Sequence, residues 1–248
     1  MLTEQRHEII LDLLNKNGLV AINQLTEATE SSESTIRRDL AALEAANALQ
    51  RVHGGAKLVE LNSKELTYSE KSSKNVQQKK AIAEVAAELI NDGECIFIDA
   101  GTSTFELIAE LANRNIFVVT NGLKHIDALI DNNIKCYMIG GNVKATTRAV
   151  VGSMALKYLE NYRFDKCFLG TNGVDINAGL TTPDTDEAII KECAIKNSKK
   201  SYVLTDSSKF EQVSFVKFGD LNQCTIITNN YSNINVYEKI TNVKVADI

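Results

Sequence analysis

The sequence contains no apolar run approaching the roughly 18 residues of a membrane-spanning helix. Its first residues, Met1-Leu2-Thr3-Glu4-Gln5-Arg6-His7-Glu8, lack the basic stretch and apolar core of a secretion signal. A cytoplasmic protein without membrane contact is expected. None of the five cysteines (Cys95, Cys136, Cys167, Cys193 and Cys224) forms a CxxC pair, and His7, His53 and His125 show no HExxH spacing. These absences speak against a zinc enzyme and leave no metal site to assign. Cys95, Cys136, Cys167 and Cys224 lie in or beside apolar runs, where a free cysteine packs as a small hydrophobe. A coiled-coil heptad is also missing, so any self-association must come from a globular part. Nor is there an excess of positive charge. The net charge is −5, and residues 1–57 hold six basic and eight acidic side chains. Nucleic-acid binding depends on where cations cluster, and here they concentrate in residues 37–57, so the balance is neutral.

What is present is an ordinary globular composition, 44% hydrophobic and 24% charged, in 248 residues. That length suits one large domain or two unequal ones. Residues 3–17 read as an amphipathic helix, with Thr3 as cap, Ile9, Ile10, Leu13 and Leu14 at helical spacing, and Gly18 as terminator. Leu19-Val20-Ala21-Ile22 is strand-like. Asn23 is placed to cap a second helix burying Leu25 and Ala28, and Ser32 to cap a third running to about Ala46. In the third helix Ile36, Leu40 and Leu43 form an apolar stripe, while Ser34, Arg38, Ala41 and Ala45 face away with Arg37 beside them. Leu49–Leu58 reads as two short strands joined at Gly54-Gly55. Helix, strand, helix, turn, helix and hairpin make a winged helix-turn-helix over residues 1–58. Its third helix would enter a major groove by its N-terminal half.

Residues 59–78 are polar with little periodicity and read as a linker. From 79 to 248 short apolar runs alternate with helical segments. The runs are Cys95–Asp99, Ile116–Thr120, Cys136–Ile139, Cys167–Leu169, Tyr202–Thr205 and Thr225–Thr228; the helices include Thr104–Ala112, Val151–Leu159 and Asp186–Lys196. This texture implies an α/β domain with a parallel sheet covered on both faces. Ligands of such sheets bind beyond the carboxyl ends of the strands. Five of those ends carry small, hydroxyl- or amide-bearing residues suited to an anionic small ligand. The candidates are Asp99, Gly101, Thr102, Ser103 and Thr104; Asn121 and Gly122; Gly140 and Gly141; Thr171, Asn172 and Gly173; and Lys209 in Asp206-Ser207-Ser208-Lys209.

Ser32-Glu33-Ser34-Thr35-Ile36-Arg37-Arg38-Asp39-Leu40 and Arg51-Val52-His53-Gly54-Gly55-Ala56 resemble the DeoR family of bacterial repressors. The likeness continues through Ile98–Thr104, Val119–Gly122, Ile139–Gly141 and Asp206–Phe210, nearly the whole chain. Ser31 and Asn47 depart from it, standing where the family usually has an apolar residue and a glycine. The resemblance implies a winged-helix domain joined to a sensor domain related to sugar-phosphate isomerases, with a phosphorylated sugar releasing operator DNA. Gly179–Asp184 with Glu187 looks like the subgroup controlling fructose phosphotransferase operons, which favours fructose 1-phosphate.

For DNA, Ser32, Ser34 and Thr35 offer hydroxyls, and one of Arg37 and Arg38 would grip phosphate while the other reads guanine. Asp39 is expected to brace an arginine, and Arg51, His53 and Lys57 to contact phosphates. For the effector, the resemblance suggests that Asp99 and Glu187 fix sugar hydroxyls, with a turn-capping role as the other reading of Asp99. Lys209 is expected at the phosphate. Arg148 either pairs with it or sits on the surface. No cofactor and no catalytic residue is assigned. An isomerase using Glu187 or Asp99 as base is the alternative, and an activator in place of a repressor is another. At least a homodimer, or a homotetramer, is expected, because one winged helix reads too few base pairs.

Overall fold

The computed structural model describes residues 2–45, 48–52, 54–58 and 66–247. They fall into two compact units divided at Leu61/Asn62. In the first, α1 (Thr3–Asn17), β1 (Leu19–Ala21), α2 (Ile22–Thr29), α3 (Glu33–Ala45), β2 (Leu49–Val52) and β3 (Gly55–Leu58) follow in order. The antiparallel strands lie in the order β1-β3-β2. The helices bury Ile10, Leu14, Leu25, Ile36, Leu40 and Leu43 against Val20, Leu49 and Ala56 of the small sheet. Gly18 ends α1 at φ 72°, its N–H donating to the Leu14 carbonyl at 2.8 Å. Gly55 is required by contact: a Cβ there would stand 2.2 Å from the Val20 carbonyl oxygen. The architecture is the expected winged helix-turn-helix, with local corrections. Leu2, not Thr3, occupies the cap of α1, and Ala21, not Asn23, that of α2, where the Gln24 side chain accepts the Ala21 N–H at 2.9 Å. Ala28 is exposed; Thr29 takes the buried place and satisfies its hydroxyl on the Leu25 carbonyl.

The second unit opens with α4 (Tyr68–Ser72) and α5 (Val76–Ala87). Residues 66–78, expected as linker, are thus largely helical. The period is hidden because α4 is one polar turn, capped by Thr67 and Glu70, that buries nothing. There follow β4 (Cys95–Ile98), α6 (Thr102–Ala109), β5 (Phe117–Thr120), α7 (His125–Asp131), β6 (Lys135–Met138), a hairpin of β7 (Asn142–Lys144) and β8 (Ala149–Val151), α8 (Ser153–Glu160) and β9 (Phe164–Gly170). The chain continues through β10 (Gly173–Asp175), β11 (Gly179–Thr182), α9 (Thr185–Lys196), β12 (Ser198–Leu204), β13 (Val216–Gly219), β14 (Thr225–Asn229), α10 (Ile234–Glu238) and β15 (Val243–Ala246).

Seven strands form one parallel sheet in the order β15-β14-β12-β9-β4-β5-β6. Successive residues alternate between its two cores. Phe97, Val119, Leu169 and Val203 meet Leu159, Ala194 and Phe218. Ile96, Ile98, Val118 and Phe168 meet Ile82, Ala86, Leu107 and Leu129. Burial on both faces explains why these strands read as unbroken apolar runs. The strand order reverses between β4 and β9, which opens a crevice at their carboxyl ends.

Candidate functional site

In the first unit, α3 starts where Ser32 turns its hydroxyl to the Thr35 N–H at 3.3 Å and to the Ser34 and Thr35 hydroxyls at 3.0 and 2.9 Å. Burial of Ile36, Leu40 and Leu43 fixes the rotation of the helix, leaving Ser34, Arg37 and Arg38 exposed. Arg37 is tied to Glu33 one turn earlier, with N–O contacts of 2.9 and 2.5 Å. Arg38 has no ion-pair partner among the described residues. Asp39 braces an arginine, and it is Arg6 of α1, held at 2.7 and 3.1 Å. Burial raises the Asp39 pKa, but the Arg6 hydrogen bond and charge outweigh it and hold the carboxyl below its ordinary range. In the hairpin Arg51 is exposed and paired with Glu44 at 2.7 Å, Lys57 is half-buried, and His53 lies outside the described residues. The face therefore offers one exposed guanidinium without an ion-pair partner among the described residues, one held by Glu33, and a helix N-terminus with hydroxyls.

In the second unit a cavity of about 330 Å³ lies in the switch crevice. The turn after β4 contributes Asp99–Ser103, the end of β9 Gly170–Asn172, and the end of β12 Asp206, Ser208 and Lys209. Asp99 and Lys191 form a buried ion pair, and Gly170 closes it: its N–H donates to Asp99 Oδ2 at 3.2 Å and its carbonyl accepts Lys191 Nζ at 3.0 Å. Glu187, in the first turn of α9, accepts the Thr147 hydroxyl at 2.6 Å and lies 3.6 Å from Lys144. The opposite wall comes from Lys71, Lys74, Asn75 and Lys79. Lys79 is only 4% exposed, and its ammonium donates to the Lys71 carbonyl. Burial pushes its pKa down, Asp206 pulls it back, and Lys209 and Lys71 press it lower still. Asp206 is already engaged by Asn75 Nδ2 at 3.0 Å and by Ser208.

Of the residues expected to touch the effector, Asp99, Gly101, Thr102, Ser103, Thr171, Asn172, Glu187 and Lys209 line this cavity. The remaining candidates lie elsewhere. Thr104 is buried and donates to the Asp99 carbonyl at 2.6 Å, holding the turn. Asn121 accepts the Ala100 N–H at 2.7 Å and so positions the wall from behind. Gly122 packs on His125, Gly140 and Gly141 turn into the β7–β8 hairpin instead of a helix, and Gly173 packs on the Gln212 carbonyl. Arg148 is exposed at φ 58°, and its neighbour Thr147 supplies the wall instead. The turns directly after β5 and β6 lie on the far side of β4 from the crevice, while the β7–β8 hairpin beyond them reaches the wall through Thr147.

Lys79 and Lys191 were missed although both carry a signal. Lys79 shares a helical face with the buried Ile82, Ala83 and Ala86, and Lys191 with Glu187 and Ala194. A lysine on an apolar stripe demands a partner. Lys71 and Lys74 carry no such mark.

The chain matches the model of the DeoR-like helix-turn-helix domain over residues 6–62 and that of the DeoR C terminal sensor domain over residues 74–231. It is 48% identical over 249 residues to the "Uncharacterized HTH-type transcriptional regulator FruR" of Bacillus subtilis (strain 168), covering 99% of both chains. It is 35% identical over 249 residues to the lactose phosphotransferase system repressor of Staphylococcus aureus (strain NCTC 8325 / PS 47), covering 98% of each. Among solved structures, ribose 5-phosphate isomerase A of Methanocaldococcus jannaschii aligns with 55% of each chain at 19% identity and TM-score 0.42. The eIF2B delta of Chaetomium thermophilum aligns with 56% of this chain and 50% of its own at 19% identity and TM-score 0.44. The full-length relatives are named as a regulator and a repressor, not as enzymes. This chain belongs to the DeoR family of helix-turn-helix transcriptional regulators, with an N-terminal DNA-binding domain and a C-terminal sensor domain.

Proposed function

We propose that this regulator represses a sugar-utilisation operon in the cytoplasm, binding its operator as a homodimer or homotetramer. A phosphorylated sugar, fructose 1-phosphate before others, fills the cavity and releases the DNA. The observation that carries the reading is Lys79. A buried ammonium with no ion pair among the described residues, facing a polar cavity beside Lys71 and Lys209, is favoured by an anion bound there. Asp99, Glu187, Thr171 and Asn172 on the rest of the wall suit hydroxyl groups. The volume is at the small end of ligand sites, which fits a monosaccharide phosphate. The repressor name of one full-length relative and the sugar in it support the sign and the class.

On the DNA side, Arg37 and Arg38, with Ser32, Ser34 and Thr35, enter the major groove, and Arg51 and Lys57 approach phosphates. The test is fluorescence anisotropy of the full-length protein on DNA from upstream of a fructose-utilisation operon, at fixed salt. Fructose 1-phosphate is expected to weaken binding about tenfold or more and fructose to leave it unchanged. If no phosphosugar alters affinity, the sensing half of the proposal fails.

A further inference from the structure

The described part of the segment between the two domains, beginning at Leu66, lines the cavity through Leu66, Tyr68 and Lys71, yet residues 63–73 fall between the two matched family regions. α4 buries no side chain of its own. Its anchors include the Tyr68 N–H on the Thr146 carbonyl at 2.8 Å, an edge-on contact of the Tyr68 and Phe105 rings at 6.5 Å, and the Lys79 ammonium on the Lys71 carbonyl. An element with so little buried apolar surface belongs to the low end of local stability. Behind it the chain is pinned. Asn75 stands in the left-handed region at φ 52° with its amide on Asp206, and α5 begins immediately after. Any motion of α4 would pivot at Asn75.

An ammonium has three N–H groups, and the Lys71 carbonyl takes one from Lys79. The others face a cavity whose near wall also carries the Lys71 and Lys74 side chains. We infer, building on the anion-binding reading above, that α4 is a clasp for the anionic group of the effector. A phosphate monoester bonds the remaining Lys79 N–H groups and draws Lys71 and Lys74 inward, fixing the segment through which the sensor joins the wing. With the anion bound, the three lysines become the fastening of the clasp. The ligand is thus read by the stretch of chain that leads directly to the DNA-binding domain.

Amide hydrogen exchange on the full-length protein tests this, with fructose 1-phosphate, inorganic phosphate and fructose as separate probes. Fructose 1-phosphate is expected to slow exchange in 68–74 about tenfold or more, together with 99–103 and 206–209. Inorganic phosphate should slow 68–74 at higher concentration, and fructose should not. Slowing at 99–103 and 206–209 with 68–74 unchanged overturns the clasp and leaves the effector reading standing. No slowing anywhere overturns both, and slowing by fructose alone overturns the anion's role. The double variant Lys71→Ala, Lys74→Ala alters two side chains outside the core. It should melt like the parent without ligand, bind fructose 1-phosphate about tenfold more weakly and lose the protection at 68–74. Affinity and protection equal to the parent's would also overturn the clasp.

Discussion

Removing the ammonium of Lys79 should relieve a desolvation cost while destroying the anion site. Lys79→Met keeps an unbranched stem on the helical face shared with Ile82 and Ala83 and deletes the buried charge. The variant is expected to melt about 2–4 °C higher in plain buffer, equivalent to ~1 kcal/mol for a protein of this size. It should show no thermal shift with fructose 1-phosphate. A variant that is less stable and still shifted by ligand would contradict the role given to this lysine. On the DNA side, Arg38→Ala should cost about 1–3 kcal/mol of operator affinity with an unchanged melting temperature, since the side chain is exposed and the buried stripe of α3 is untouched. A collapse in melting temperature would refute the face assignment. That outward face was legible from Ile36, Leu40 and Leu43 alone. The pairing of Arg37 with Glu33 was not drawn from the one-turn spacing, although that spacing is where such pairs form.

Elements explain what could and could not be read beforehand. β4, β5, β9, β12 and β14 announced themselves because both faces are buried, β6 by its apolar residues although it is largely exposed at the sheet edge, and α1 and α3 because their apolar positions recur at helical spacing in long segments. α4 is too short and too polar to carry a period. β15, Val243–Ala246, went unassigned because its central residues are exposed at the sheet edge, so it lacks an apolar run. The candidate effector residues were drawn from more strand-end turns than line the cavity, because sequence shows where strands end but not their lateral order. Two element-scale tests follow from close packing. Gly55→Ala pushes a Cβ into the Val20 carbonyl and parts β1 from β3. It should destabilise the DNA-binding domain by at least ~2 kcal/mol and leave the sensor's melting transition in place, as calorimetry would resolve. His125, on α7, is fully buried, near Thr120 Oγ1 at 3.0 Å and the Gly101 carbonyl at 3.4 Å. Burial lowers its pKa from 6.5 to about 4. The unfolded chain therefore binds the extra proton first, so this contribution is complete above pH 6.5 and is lost as pH falls toward 4. The loss amounts to roughly 3 kcal/mol. Urea unfolding at pH 7.5 and 5 should show the decline, and His125→Gln should flatten it over that window. A parent protein equally stable at both values would mean that the ring is solvated.

At the scale of the whole molecule, the two domains are useful together only if effector and operator favour different states of the same chain. Coupling of that kind is symmetrical in free energy. If fructose 1-phosphate weakens operator binding by a given factor, saturating operator must weaken fructose 1-phosphate binding by that same factor. Titration calorimetry with and without operator measures the second factor, and anisotropy measures the first. Disagreement beyond experimental error would mean that the ligand acts through aggregation or by occupying the DNA face, not through the sensor. Salt then separates the contacts on that face. Operator affinity should fall with a logarithmic slope near −0.9 per phosphate neutralised, despite the chain's net charge of −5, because only the local cations meet DNA. Replacing an arginine that grips phosphate lowers the slope by about one and weakens all sequences alike. Replacing one that reads a base instead relaxes discrimination at one position. Arg37, tethered to Glu33, is the expected phosphate contact, and Arg38, free to fork onto guanine, the expected reader. Arg37→Ala and Arg38→Ala, titrated at several salt concentrations on operator and scrambled DNA, decide between this assignment and its reverse.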